Sequence, residues 1–214
     1  MGRGSRGSGC RGAGWQTRRM ADERAREGRE DVTVVVLAGG GSTRFGTDKL
    51  AADLGGVTVL DHLLGGLPAH WPVVLVGPRR DTVRSDAVWV REDPPGGGPL
   101  AGVATGAEAV HTALMAVVAG DMPHAAAAVP RLLTALDEAR PEVAAAVAVD
   151  DDAHVNPLLA VYRVAAVREA LPASAHDGPA KRLLRLPHTE VRVAGTPGRD
   201  VDTPDDLERL RRDG

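Results

Sequence analysis

Three consecutive glycines, Gly39, Gly40 and Gly41, follow the apolar run Val32–Ala38, and Ser42, Arg44 and Lys49 come soon after. Glycine-rich backbone after a strand lets successive N–H groups close on an anion, and Arg44 and Lys49 add two full charges to that nest. A triphosphate, with about four negative charges at neutral pH, calls for more neutralisation than a pyrophosphate diester does. Carboxylates recur where other apolar runs end: Glu92 and Asp93 in "REDPPGGGPLAG", and Asp121 in "VVAGDMP". A carboxylate just beyond a buried strand needs something cationic to meet it. Mg²⁺, which takes few protein carboxylates plus substrate oxygens, is the fitting partner for Asp121. The competing role for Asp121, capping the helix ahead, is less natural because Pro123 and several more residues intervene. In "RDVDTP", Asp200 and Asp202 share one face of an extended segment. Asp202 is a second candidate metal ligand, with an acidic cluster at a helix N-terminus as its close competitor.

Two familiar phosphate loops do not fit. A Walker A loop would place Gly-Lys-Ser/Thr at the helix start. The dinucleotide fingerprint fits from Gly39 and Gly41, but Arg44 stands where its third glycine lets helix and strand pack closely. No Ser/His/Asp or Cys/His set suits covalent catalysis. The seven histidines include no i, i+4 pair of the kind that binds zinc.

Positioning these residues is the task of an alternating β and α pattern. Apolar runs at 32–38, 72–77, 87–93, 113–120, 142–149, 157–163 and 190–195 read as strands. Helical stretches fall at 58–67, 98–111, 128–139, 164–171, 179–186 and 203–212. The last is capped by Thr203, with Pro204 in its first turn and Asp205 and Asp206 complementing its dipole. Such alternation predicts an α/β fold, a Rossmann-like, mostly parallel twisted sheet flanked by helices, in a single domain over 31–214. In open sheets of this kind ligands sit beyond the carboxyl ends of the strands, which is where the polar residues fall.

The composition agrees. At 214 residues the chain can bury one substantial core, and its filling is Ala, Val, Leu and Gly with few aromatics. The net charge of −3 gives no general affinity for nucleic acid or an acidic membrane. Residues 1–30 hold eight Arg against four acidic residues and no apolar periodicity, so a disordered Arg/Gly-rich extension is expected there. Cys10 is the sole cysteine, which excludes an intrachain disulfide. No apolar run is long enough to span a membrane, and cytoplasmic location is the expectation.

Four segments, "LAGGGSTRFGTDK" (37–49), "AGDMP" (119–123), "NPLLAVY" (156–162) and "DVDTPDDL" (200–207), resemble in order the signatures of the molybdenum cofactor guanylyltransferases (MobA-like nucleotidyltransferases). The similarity covers 32–212. It implies a GT-A type sheet and transfer of GMP from Mg²⁺-GTP to the terminal phosphate of molybdopterin, or of its molybdenum-loaded form, with release of pyrophosphate. It further implies nucleotide contacts from Leu37, Ala38 and Gly39 and a phosphate or base contact from Lys49. By the same resemblance Asp93 helps hold the guanosine, Asp121 ligates Mg²⁺, and Asp202 stands where relatives often have Asn. The partners implied are GTP or another NTP, a phosphorylated pterin, and the molybdoenzymes that receive the product. Where relatives carry an Asn after the second strand, Pro78 stands near that place.

Alternatives remain open at this level. A cytidylyltransferase or a sugar- or lactyl-phosphate nucleotidyltransferase would use the same fold, and a nucleotide-binding protein that delivers cofactor without transfer would use the same loop. RNA contact through the Arg/Gly tail is the weakest. For the acceptor, His154, Asn156, Lys181 and Arg182 are candidates, against a solvated turn and an ordinary surface helix face. The glycines at 96–98 suit a loop that opens and closes over substrate.

Overall fold

The computed structural model describes residues 32–39 and 48–213. The extension expected over 1–30, and Gly40, Gly41, Ser42 and Arg44 of the glycine turn, lie outside the described residues. The first strand, β1 (Val32–Leu37), is built almost entirely of β-branched residues, which are stiff at χ1 and suit a pleated, covered surface. Val32, Val34 and Val36 enter one core cluster and Val35 the other, the period-two alternation of a strand buried on both faces.

Two short strands, β2 (Asp53–Leu54) and β3 (Val57–Thr58), make a separate hairpin. Its turn is Gly55-Gly56, both at positive φ, the conformation that a two-residue hairpin turn of the primed type demands. The main sheet adds β4 (Val73–Val76), β5 (Val88–Val90), β6 (Leu114–Ala119), β7 (Ala145–Val149), β8 (Val155–Arg163) and β9 (His188–Arg192). Its order is β5-β4-β1-β6-β8-β7-β9. Only β8 runs antiparallel to its two neighbours, so the carboxyl ends of β5, β4, β1 and β6 share one edge.

Among the described residues there are five α-helices, four of which cover the main sheet. On one face α1 (Val59–Gly66) and α3 (Val129–Glu138) contribute Leu60, Leu63, Leu64, Leu132, Leu133 and Leu136 to the core. Thr58 starts α1 by accepting from the Asp61 N–H at 3.0 Å, while its hydroxyl donates to the Asp61 carboxylate. On the other face lie α2 (Gly98–Ala109) and α4 (Val164–Ala170). Helix α2 sits very close to β1: a Cβ on Gly106 would fall 2.4 Å from Val35 Cγ1, and one on Gly102 would fall 3.1 Å from Leu37 Cδ2. The last helix, α5 (Pro204–Asp213), packs Leu207 and Leu210 with Leu54, Val59 and Val201 in a small separate cluster. Asp206 accepts from both the N–H and hydroxyl of Thr203, which holds the Asp206 carboxyl below its ordinary pKa.

The expected elements are largely present, with shifted bounds. Residues 179–186 form a 3₁₀ helix (Ala180–Arg185) rather than an α-helix, and the strand expected over 87–93 is confined to β5. The strand expected over 190–195 starts two residues earlier, as β9.

Candidate active site

The site is assembled at the shared strand edge, beginning with β1. Leu37 O accepts from Gly120 N at 3.0 Å and Ala38 N donates to Val76 O at 2.8 Å, so the strand is held on both sides to its end. Past β4 the chain passes very close to it. A Cβ on Gly77 would fall 2.7 Å from Ala38 C and O and from Gly39 N, and Gly77 has φ +149°, so only glycine fits there. Ala38 is buried and Gly39 is exposed, at the point where the glycine turn begins.

The chain re-enters at Asp48, which caps a 3₁₀ turn, Lys49–Ala51, by accepting from Leu50 N at 3.1 Å. Leu50 is buried in the core and anchors the turn. The turn aims Lys49 at two carboxylates. Its Nζ lies 2.5 Å from Asp121 Oδ2 and 2.9 Å from Asp202 Oδ1, with Lys49 and Asp121 each about one-fifth exposed. Burial works to lower the Lys49 pKa, but the hydrogen bonds and charges of Asp121 and Asp202 together outweigh it and hold the ammonium above its ordinary value. Asp121 O accepts from Val201 N at 2.9 Å, and Val201 is fully buried under α5, so the segment bearing Asp202 is pinned to the end of β6. Asp200 joins the group from the rim. Partial desolvation, then the charges of Asp202 and Asp121, push its carboxyl upward.

Asp121 is not a helix cap. The 3₁₀ turn Ala125–Ala127 and α3 both lack a side-chain cap bond. Its Oδ1 is buried and has no hydrogen-bond partner among the described residues. A buried carboxylate oxygen left over beside a second carboxylate suits a hard divalent cation that completes its shell with phosphate oxygens and water. Among the described residues no group of three or more His, Cys, Asp or Glu surrounds one point, so the set is open rather than a closed cage.

Asp93 stands elsewhere. It is exposed, and with Glu92, Thr105, Glu108, Arg168 and His176 it lines a cavity of about 440 Å³ along α2. No hydrogen bond or ion pair joins it to the Lys49 cluster among the described residues. Glu92 is better tied: its Oε2 accepts from Gly96 N at 3.1 Å, and Oε1 lies beside Gly102. The glycine loop at 96–98 is stapled to 177–178 rather than loose. Asp177 N donates to Gly97 O at 2.8 Å and Leu100 N to Gly178 O at 3.3 Å.

Of the acceptor candidates, Asn156 touches Met122, the residue that follows Asp121. Its Nδ2 faces Met122 Sδ at 3.8 Å, and its Oδ1 accepts from Leu158 N. It sits where the register of β7 and β8 slips, between Val147 and Ala148, a bulge of the kind that re-aims side chains near sites. His154 pairs with Asp150 in an exposed turn, and Lys181 and Arg182 are exposed on their 3₁₀ helix. Sequence reasoning missed Gly77 and Arg80. Gly77 carried a readable signal, a glycine at a strand end, whereas nothing in its neighbourhood distinguishes Arg80 from any solvated arginine.

Among the described residues, Lys49, Asp121 and Asp202 can grip a polyanion and balance its charge, which is how nucleotidyltransferases work. Residues 34–193 match the MobA-like NTP transferase domain, and the chain belongs to that family and is a nucleotidyltransferase. It is 33% identical over 198 residues to a probable molybdenum cofactor guanylyltransferase of Natronomonas pharaonis, covering 84% of this chain and 96% of that protein. Among solved structures it resembles molybdopterin-guanine dinucleotide biosynthesis protein A of Archaeoglobus fulgidus, with TM-score 0.63, 24% identity and 84% and 97% of the two chains covered. It also resembles 2-C-methyl-D-erythritol 4-phosphate cytidylyltransferase of Thermus thermophilus, with TM-score 0.61, 22% identity and 83% and 96% covered. At these identities both structures speak for the fold. No helix of the described residues is long and apolar enough to cross a membrane.

Proposed function

We propose that the chain transfers GMP from GTP to the terminal phosphate of molybdopterin or its molybdenum-loaded form. An oxygen of the acceptor phosphate attacks the α-phosphorus, a new P–O–P link forms, and the α–β bridge breaks to release pyrophosphate. The observation that carries this reading is the convergence of Lys49, Asp121 and Asp202 beside the glycine turn. The acceptor named in the relative from Natronomonas pharaonis supports the choice of substrate.

In this reading Leu37 and Ala38 direct the glycine turn, since Leu37 O and Ala38 N are already engaged in the sheet. Gly39, Gly40, Gly41 and Ser42 wrap the polyphosphate, and Arg44 adds a cation to it. Lys49 keeps Asp121 and Asp202 together against their mutual repulsion and brings a positive charge to the phosphates. Asp121, with Asp202, would hold Mg²⁺, which supplies Lewis-acid neutralisation of phosphate charge when bound. Asp93 and Glu92, at the end of β5, serve the guanosine side. Asn156 offers an amide to the acceptor, and the product would pass to molybdoenzymes.

Pyrophosphate release measured with each of the four ribonucleoside triphosphates, with and without molybdopterin, tests the reading. GTP with acceptor should give the fastest release by a wide margin. Release with CTP alone would move the chain to the cytidylyl class, and binding of GTP without any transfer would make it a delivery protein.

A further inference from the structure

Arg80 lies four residues beyond β4, in a stretch that the transfer site described above leaves unused. Its Nη1 is 2.5 Å from Asp48 Oδ2, and its Nη2 donates to Ala38 O at 3.4 Å. Ala38 and Asp48 lie on either side of residues 39–47, so one planar group reaches both stems of the glycine turn. The path continues inward. Asp48 uses its other oxygen to accept from Leu50 N, which closes the 3₁₀ turn that carries Lys49, and Lys49 in turn reaches Asp121 and Asp202. The close passage at Gly77 is what lets the segment after β4 come alongside Ala38.

We propose that Arg80 is a positioning residue for the transfer site: a clasp that joins the two stems of the phosphate turn and sets the direction of Lys49. The inference rests on the nucleotide-binding reading of that turn. The chemistry favours arginine in particular. A guanidinium presents separate N–H groups in a rigid fork and can serve a carboxylate and a carbonyl at once, whereas an ammonium is a single point. Overall stability is a poor explanation for the pair. Asp48 is 52% exposed, and an ion pair with one end so open to water contributes little to folding. What the pair can do is remove freedom from a turn whose geometry decides where the lysine points.

Three variants test it: Arg80→Ala, Arg80→Lys, and Asp48→Asn, which retains a side-chain oxygen to cap Leu50 N but loses the charge. Each is measured for melting temperature, for KM and kcat with Mg²⁺-GTP, and for amide hydrogen exchange over residues 48–52. Arg80→Ala should leave the melting temperature nearly unchanged, raise KM for GTP about tenfold and change kcat much less, the pattern of lost binding-state organisation. Arg80→Lys should recover only part of that loss. Asp48→Asn should match Arg80→Ala, and the double variant should be no worse than either alone, because both break one clasp. Exchange over 48–52 should quicken in each. Wild-type KM in Arg80→Ala, effects that multiply in the double variant, or unchanged exchange overturns the clasp. Should Arg80→Ala fail to fold, Asp48→Asn carries the same comparison. If the wild-type protein neither binds nor turns over any nucleotide, the functional reading fails instead, and the exchange measurement still decides the clasp.

Discussion

Lys49 is the residue on which the charges of the centre meet, and it is held by carboxylates just past β6 and in the segment before α5. Asp121→Asn keeps the shape but removes the charge that pairs with Lys49 and that the proposed Mg²⁺ would need. We expect kcat to fall by about 10²–10³, the scale of losing one preorganised charge-stabilising group, while GTP affinity falls much less. Single-turnover pyrophosphate release beside equilibrium GTP binding checks this, and unchanged turnover contradicts the role. Asp200 makes a different prediction. Its carboxyl is pushed above the ordinary 3.8 by desolvation and by its acidic neighbours, so its ionisation opposes folding. That contribution is most favourable to the fold below the unfolded-state pKa and is lost as pH rises through the folded one. Asp200→Asn should therefore melt at a higher temperature than wild type at pH 7 in metal-free buffer, and the gap should close as pH falls toward 3.8 and below. A gap that widens in acid would refute the sign.

At the scale of elements, the tight seat of α2 on β1 is the feature most open to test. Glycines in a helix interior cost about 0.5–1 kcal/mol each relative to alanine, yet Gly106 is where Val35 Cγ1 leaves no room for a methyl group. Gly106→Ala should lower stability by about 1–3 kcal/mol despite better helix propensity, read from denaturant midpoints. The same element shows how far the sequence could be read. The apolar runs around β1, β4, β6, β7 and β8 are long enough for periodicity to reveal them. Strands β2 and β3 have two residues each and no period to detect, although Gly55-Gly56 marked their turn. The strand-tip rule placed Lys49 and Asp121 at one edge in advance, because it depends only on topology, whereas Asp202 was reached only through the alternation of RDVDTP. The rule did not foresee that Lys49 pairs with both carboxylates, nor that Asp93 faces along α2, since side-chain direction after a loop is settled by packing. Arg80 was invisible for the same reason: its partners lie 32 and 42 residues away.

For the molecule as a whole, the two large clusters on either side of the sheet carry the stability, and the small one under α5 carries the placement of Asp202. Leu210→Ala should consequently lower transfer activity far more than it lowers the main melting transition. The truncation loosens α5 and the backbone bond from Val201 to Asp121, while the seven-stranded sheet keeps its core. A parallel fall in both would mean that α5 belongs to the main cooperative unit. Pyrophosphate release and calorimetry on the same preparation distinguish the outcomes.

The bond from Lys49 to Asp202 spans 153 residues of chain. During translation Lys49 emerges early and Asp121, just past β6, follows, yet Asp202 is made long after both. A nascent polypeptide therefore passes through a long interval in which it resembles a nucleotide binder but lacks half of its acidic pair. The cluster is complete only once Val201, Leu207 and Leu210 dock against Leu54 and Val59, and ribosome-stalled chains of graded length would locate that step.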